Sequence, residues 1–236
     1  MTKIVMWSGP RNISTTMMRA FENRPDCEVI DEPFYAHYLS HTGLTHPMQE
    51  EILAAQSSDW AIVRDQLLQQ PAPLFFQKHM THHITSEIEL SFMKDFKHFF
   101  LIREPARMIA SYANRMGEAS PEAVGLPQEA RIFEEIQNLT GKTPAVLDAT
   151  DILKAPEESL RKLCDNLAIP FSHTMLAWPK GRRMSDGVWA PHWYKAVEDS
   201  DGFKSPPTSA VELDETLHLV VTACQPWYDQ LAAHRL

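Results

Sequence analysis

The chain has 236 residues, of which 44% are hydrophobic and 22% charged, with a formal net charge of −9. Those fractions describe an ordinary globular protein rather than a disordered one, and the length suits a single α/β domain running over 1–236. The acidic balance argues against a nucleic-acid partner, which selects a basic face, so an anionic ligand needs a locally basic site.

Lys3 to Ser8 (KIVMWS) is an apolar run closed by Gly9-Pro10, the pattern of a short buried strand. Next, Ser14-Thr15-Thr16 precede Met17, Met18, Ala20 and Phe21 at helical spacing, with Ser14 or a neighbour as the expected cap and Pro25 as the stop. Cys27–Ile30 predicts a second strand, ending at Asp31-Glu32-Pro33. Residues 34–58 are rich in His, Tyr and Thr with weak periodicity, and predict a loop followed by a short helix near Met48–Gln56. Leu74–Phe76 predicts a third strand ending at Lys78-His79, and Phe99–Ile102 a fourth ending at Arg103-Glu104-Pro105. Pro105 suits the first helical position, and Met108, Ile109, Tyr112 and Ala113 give that helix its apolar face. Ala145–Leu147 is the fifth expected strand, and Glu157–Leu167 an amphipathic helix. The stretch 178–210, with Trp178, Trp189 and Trp193, predicts a long irregular segment folded over the core, and Leu213–Leu231 a closing helix interrupted at Pro226. Short strands alternating with helices argue a parallel α/β sheet of about five strands, helices on both faces, and a long aromatic-rich C-terminal segment.

The three cysteines (Cys27, Cys164 and Cys224) are scattered and form no metal-binding spacing, so free thiols are expected. The N-terminal run is too short for a signal peptide, and no apolar stretch approaches the ~20 residues of a membrane span. The expectation is a cytoplasmic protein with no membrane partner.

The run from Ser8 to Thr16 joins the first strand to the first helix. In a parallel sheet such a loop aims backbone N–H groups and the helix dipole at one point, which makes an anion site. Arg11 adds a charge, and Ser14 and Thr15 add hydroxyls. The run lacks the glycine-lysine signature of a Walker A loop, which weakens the case for a magnesium–ATP enzyme. Arg103 at the end of the fourth strand, with Ser111 eight residues on, supplies a second set of anion donors. Each feature alone also reads as a capped helix or a solvated arginine.

Together, Pro10-Arg11-Asn12-Ile13-Ser14-Thr15 and the Arg103, Pro105, Ser111 spacing resemble the two nucleotide motifs of the sulfotransferase family. MWSGPRN at the start, the Asp31-Glu32-Pro33 triplet, KHMTHH at 78–83 and WAPHWY at 189–194 further resemble bacterial sulfotransferase-like proteins. In the family's loop the place of Asn12-Ile13 is usually Ser-Gly, and the family's C-terminal G-x-x-G-x-W-K loop is not present as such.

The resemblance implies a P-loop-type fold and transfer of a sulfonyl group from 3′-phosphoadenosine-5′-phosphosulfate to a small hydroxyl or amine acceptor. It assigns Arg11, Asn12, Ser14 and Thr15 to the 5′-phosphosulfate, Arg103 and Ser111 to the 3′-phosphate, and leaving-group stabilisation to Arg11. The general base stays open between Glu32 and the histidines His79, His82 and His83, with Glu32 and His82 ahead. His79 and His83, four apart, also allow a metal pair on a helix face, but no third ligand is evident and no metal is expected. Trp189, His192, Trp193, Tyr194 and Lys195 form either an aromatic lid, with Lys195 reaching a phosphate, or a hydrophobic plug. The competing readings are a P-loop phosphotransferase and a nucleotide-binding regulatory protein without transfer activity.

Overall fold

The computed structural model describes residues 1–206 and 211–236; the last four residues of the expected irregular segment, 207–210, lie outside the described residues. The five expected strands all form: β1 (Thr2–Ser8), β2 (Cys27–Asp31), β3 (Leu74–Met80), β4 (Lys97–Ile102) and β5 (Ala145–Asp148). They make one sheet in the order β2-β3-β1-β4-β5, with every neighbouring pair parallel. Parallel neighbours need crossovers, and helices fill them on both faces.

Side chains alternate along each strand, so each strand feeds two cores. On one face Ile4, Met6, Phe76, Phe99 and Leu101 pack against Met17, Met18 and Phe21 of α1 (Ser14–Glu22). On the other, Val5, Trp7, Phe75, Phe100 and Val146 meet Val63 and Leu67, and Ile132, Phe133 and Ile136.

Between β2 and β3 the chain forms α2 (Tyr35–Thr42), α3 (Gln49–Ala55) and α4 (Trp60–Gln69). The expected helix near 48–56 is α3. The expected loop before it is α2, because Tyr35 through Leu39 are buried at consecutive positions and a helix covered all round shows no 3.6-residue stripe. The later helices are α5 (Pro105–Met116), α6 (Leu126–Thr140), α7 (Ala149–Lys154) and α8 (Pro156–Asn166), followed by two four-residue helices, α9 (Ala190–Trp193) and α10 (Lys195–Glu198). The closing helix α11 (Glu215–Ala232) runs through Pro226 without a break, its start capped by the Asp214 carboxylate on the Leu217 N–H at 2.8 Å. Among the described residues no helix is long and apolar enough to cross a membrane.

The sheet ends the phosphate-type loop against α6. An added Cβ on Gly9 would stand 2.4 Å from the Val124 carbonyl oxygen, a backbone atom with little freedom to yield. Gly9→Ala is therefore expected to cost about 1–3 kcal/mol, a fall of roughly 3–10 °C in Tm for a chain of this size. Differential scanning calorimetry checks this; an unchanged Tm would show that Gly9 and the turn that leads into α6 are not packed this closely.

Candidate active site

The carboxyl ends of β1, β2, β3 and β4 open on a cavity of about 360 Å³, the place where ligands bind in parallel sheets. The β1–α1 loop forms one part of its wall through Arg11, Ile13, Ser14 and Thr15. The expected serine cap is absent: Ile13 is the N-cap residue, in the left-handed region with φ 60°, and makes no side-chain capping bond, while Ser14 opens the helix. The left-handed region costs an ordinary L-residue about 1–2 kcal/mol. Among the described residues five non-glycines have positive φ, and three of them, Arg11 (66°), Ile13 (60°) and Glu32 (40°), line this cavity.

Two sequence motifs distant in the chain meet here. The Arg11 Nε donates to the Ser111 Oγ at 2.9 Å, and the Arg103 Nη1 donates to the Arg11 carbonyl oxygen at 2.7 Å. Arg11 and Arg103 both line the cavity, while Ser111 supports Arg11 from α5. Burial, and then Arg115, push the Arg11 pKa down; burial, and then Arg11, do the same to Arg103. An arginine keeps its proton regardless, so the cost of crowding these cations is met when an anion arrives. Asn12 differs from its neighbours. It is fully buried and its Nδ2 donates to the Leu101 carbonyl oxygen at 3.2 Å, so its side chain ties the loop to β4 instead of facing the cavity. Below the loop the buried Glu129 carboxylate accepts the Gly9 N–H at 3.2 Å, and burial holds that carboxyl well above the usual carboxylate range.

A buried ion network closes the β2–β3 side. Asp31 and Lys78 are register partners on adjacent strands. The Lys78 Nζ donates to Asp31 Oδ1 at 2.8 Å, to Glu32 Oε1 at 2.5 Å and to the Tyr194 hydroxyl at 2.7 Å. That hydroxyl donates to Asp31 Oδ2 at 2.7 Å and accepts from the Trp189 Nε1 at 3.0 Å. Burial drives the Glu32 pKa up, Lys78 works against it, and the result is about 7. Asp31 is a buried partner of Lys78 and also accepts the Gly187 N–H at 3.1 Å.

The three histidines separate. His79 does not line the cavity: strand alternation puts its side chain on the face opposite Lys78, beside Trp7 and Phe34, with its Nε2 3.1 Å from Gln77 Oε1. Because His79 belongs to β3 and His83 to a 3₁₀ turn (Thr81–His83), they share no helix face and the metal-pair reading fails. His82 and His83 do line the cavity, and the Nδ1 of each is buried without a partner. Burial, and then His46, pull the His82 pKa down to about 3. His83 stacks on Tyr35 with ring centroids 4.2 Å apart, and its Nδ1 is 3.8 Å from Glu32 Oε2.

The aromatic stretch is both plug and wall. Trp189 is 1% exposed beneath the network, while Trp193 and Tyr194 line the cavity. Lys195 points away, exposed and paired with Asp199 at 3.5 Å. Sequence reasoning did not single out Lys78 or Tyr35 as working residues, and placed Tyr194 in the aromatic lid without a role for its hydroxyl; a lysine at the end of the apolar run Leu74–Phe76 was the available signal for Lys78.

The fold is that of a P-loop-type α/β protein, with a cleft lined by two arginines at the carboxyl ends of its strands. Residues 2–235 match the family model for the sulfotransferase domain, and the chain belongs to that family, whose chemistry is sulfonyl transfer. In sequence it is similar to two Arabidopsis thaliana proteins, branched-chain-amino-acid aminotransferase-like proteins 2 and 1, at 34% and 35% identity over 99% and 97% of this chain. The chain spans only 42% and 41% of the length of those relatives. Its fold is similar to a sulfotransferase from Alicyclobacillus acidocaldarius (14% identity, TM-score 0.58, covering 100% of this chain and 97% of that one). It is likewise similar to a sulfotransferase from Mycobacterium avium (13% identity, TM-score 0.56, covering 97% and 75%).

Tyr194→Phe keeps the ring and removes the hydroxyl that joins Lys78, Asp31 and Trp189. Three buried groups then lose a partner, at a cost of about 1–3 kcal/mol. Thermal unfolding is expected to begin several degrees lower; a Tm equal to that of the parent would place the hydroxyl outside the network.

Proposed function

We propose that this chain transfers the sulfonyl group of 3′-phosphoadenosine-5′-phosphosulfate to a hydroxyl or amine of a small-molecule acceptor. The observation that carries the reading is that Arg11 and Arg103, from two motifs 92 positions apart, are joined by a hydrogen bond and share one cavity with a carboxylate whose pKa is about 7. In this reading Arg11, Ser14 and Thr15 hold the 5′-phosphosulfate, with the main chain of Asn12 contributing to the loop. Arg103 and Ser111 hold the 3′-phosphate, Ser111 also steadying Arg11.

Transfer then needs charge stabilisation, a base and in-line positioning. The acceptor oxygen or nitrogen forms a bond to sulfur as the bond from sulfur to the bridging phosphate oxygen breaks. The electron pair leaves on that oxygen, next to Arg11 and the N-terminus of α1. The acceptor's proton passes to Glu32. A sulfonyl group bears less negative charge than a phosphoryl group, so two arginines serve where a kinase recruits magnesium. Glu32 is preferred over His82 as the base because its pKa lies near neutral pH, where a base both is ionised and retains affinity for a proton. His82, a neutral imidazole at every working pH, is suited to orienting the acceptor. The three cysteines are unpaired, in keeping with a reducing, cytoplasmic setting.

Three tests follow from these roles. Arg11→Ala is expected to lower single-turnover transfer by about 10²–10³-fold with little change in Tm; near-normal transfer would remove Arg11 from the reaction. Arg103→Ala is expected to weaken the 3′,5′-bisphosphate product far more than an analogue without the 3′-phosphate, and equal weakening would place that phosphate elsewhere.

The third test separates the bases. Glu32 must be ionised to act, so the parent rate rises as pH passes through about 7. Glu32→Gln abolishes the rise and most of the rate at unchanged donor affinity, whereas His82→Asn keeps the pH profile. Stability runs the other way: the folded pKa lies above the unfolded one, so the contribution is present in full below about pH 4.3 and is lost as pH climbs through 7. A parent pH–rate profile identical to that of Glu32→Gln would reject Glu32.

A further inference from the structure

Outside the cavity, two histidines and a carboxylate converge where α2 meets the segment following β3. His37 and His41 are four apart on α2, with stacked rings 5.7 Å between centroids. Glu87 reaches over from the segment after the 3₁₀ turn: its Oε2 lies 3.3 Å from His41 Nδ1 and 4.0 Å from His37 Nε2. The three ligand atoms lie within 4.8 Å of one another. A tetrahedral site with ligand bonds of about 2.0–2.1 Å has edges of roughly 3.3 Å, so one edge is already made and the others need shifts about the size of a side-chain adjustment.

His37 is prepared for the role. It is 4% exposed, and its Nδ1 is 3.0 Å from the Ser58 carbonyl oxygen. A carbonyl only accepts, so Nδ1 carries the proton and Nε2 presents its lone pair on the side of Glu87 and the Thr85 hydroxyl, 2.8 Å away. An imidazole whose second nitrogen is held by a carbonyl is the usual arrangement around a metal-binding histidine. His41 and Glu87 are exposed, which gives an ion a path from solvent and leaves a fourth position for water.

We propose that His37, His41 and Glu87 form a site for a zinc-class divalent cation, separate from the sulfonyl-transfer cavity. Two imidazoles and one carboxylate suit zinc and its first-row neighbours, not magnesium or calcium, which take oxygen ligands. On binding, the Thr85 hydroxyl turns away from His37 Nε2 and the cation takes its place. The ion clamps α2, which carries Tyr35, to the segment that follows His82 and His83, so it fixes two walls of the cavity from outside.

The test uses the full chain stripped with a chelator, titrated with Zn²⁺ by calorimetry and with Co²⁺ by its visible absorption. His41→Ala and Glu87→Gln alter exposed side chains and leave the metal-free fold intact, as circular dichroism confirms. The expected result is one equivalent of Zn²⁺, a tetrahedral Co²⁺ spectrum, and at least about tenfold weaker binding in each variant. Two results would overturn the site: no saturable binding at one equivalent, or one equivalent bound with the same affinity in the parent and both variants.

Discussion

The side chain of Lys78 is 1% exposed. Taking such a charge out of water costs several kcal/mol, and only close opposite charges with satisfied hydrogen bonds offset it. Three oxygens meet it here, from Asp31, Glu32 and Tyr194. Each drags in its own element. Asp31 fixes the end of β2 against β3, and its second oxygen holds the Gly187 N–H and the Tyr194 hydroxyl. The segment from 187 to 194 is thereby folded onto the sheet, and Trp189 is buried as the seal. Arg19 repeats the device from α1, with its guanidinium 2.5 Å from Asp186 and itself 1% exposed. The Arg19–Asp186 ion pair and the hydrogen bonds from Lys78 and Asp31 to Tyr194 and Gly187 therefore hold the long C-terminal segment over the cavity.

The same lysine leaves Glu32 poorly satisfied. One cation serves two carboxylates, so the group nearer the cavity keeps part of the desolvation penalty, and its pKa rises to about 7. Stability and the proposed reactivity are coupled at this point: the burial that would make Glu32 a base near neutral pH also costs the fold stability as pH climbs through about 7. The strained backbone at Glu32 belongs to the same account. Its φ of 40° is held by its N–H on the Lys78 carbonyl and by its own carbonyl, which accepts from Gln56 and Tyr35.

The legible part of this molecule was the part governed by local pattern. Five apolar runs, the first four ending in Gly-Pro, Asp-Glu-Pro, Lys-His and Arg-Glu-Pro, are the five strands, because a parallel strand buried on both faces has a short, continuous apolar signature. The arginine motifs were legible too, since each sits at a strand end that the sheet places beside the other. What escaped was set by tertiary partners. Tyr35–Thr42 has no amphipathic stripe, so it reads as a loop. His79 stood among the base candidates behind His82, and strand alternation puts it on the opposite face. Ile13 stands where glycine would be free to turn, and the protein forces the turn instead. Tyr194 gave no sign that its hydroxyl, rather than its ring, is what the network uses, because its charged partners Lys78 and Asp31 lie more than 100 positions away.

The central claim is that the cleft at Arg11 and Arg103 is built for a 3′-phosphorylated adenylate and needs no magnesium to hold it. A calorimetric titration of the full chain tests this most directly, with the 3′,5′-bisphosphate product in the presence of a chelator and ATP with magnesium in parallel. The account predicts one equivalent of the bisphosphate, bound at least about tenfold (1.4 kcal/mol) tighter than magnesium–ATP. Equal or tighter binding of magnesium–ATP, or no binding of the bisphosphate, would contradict it.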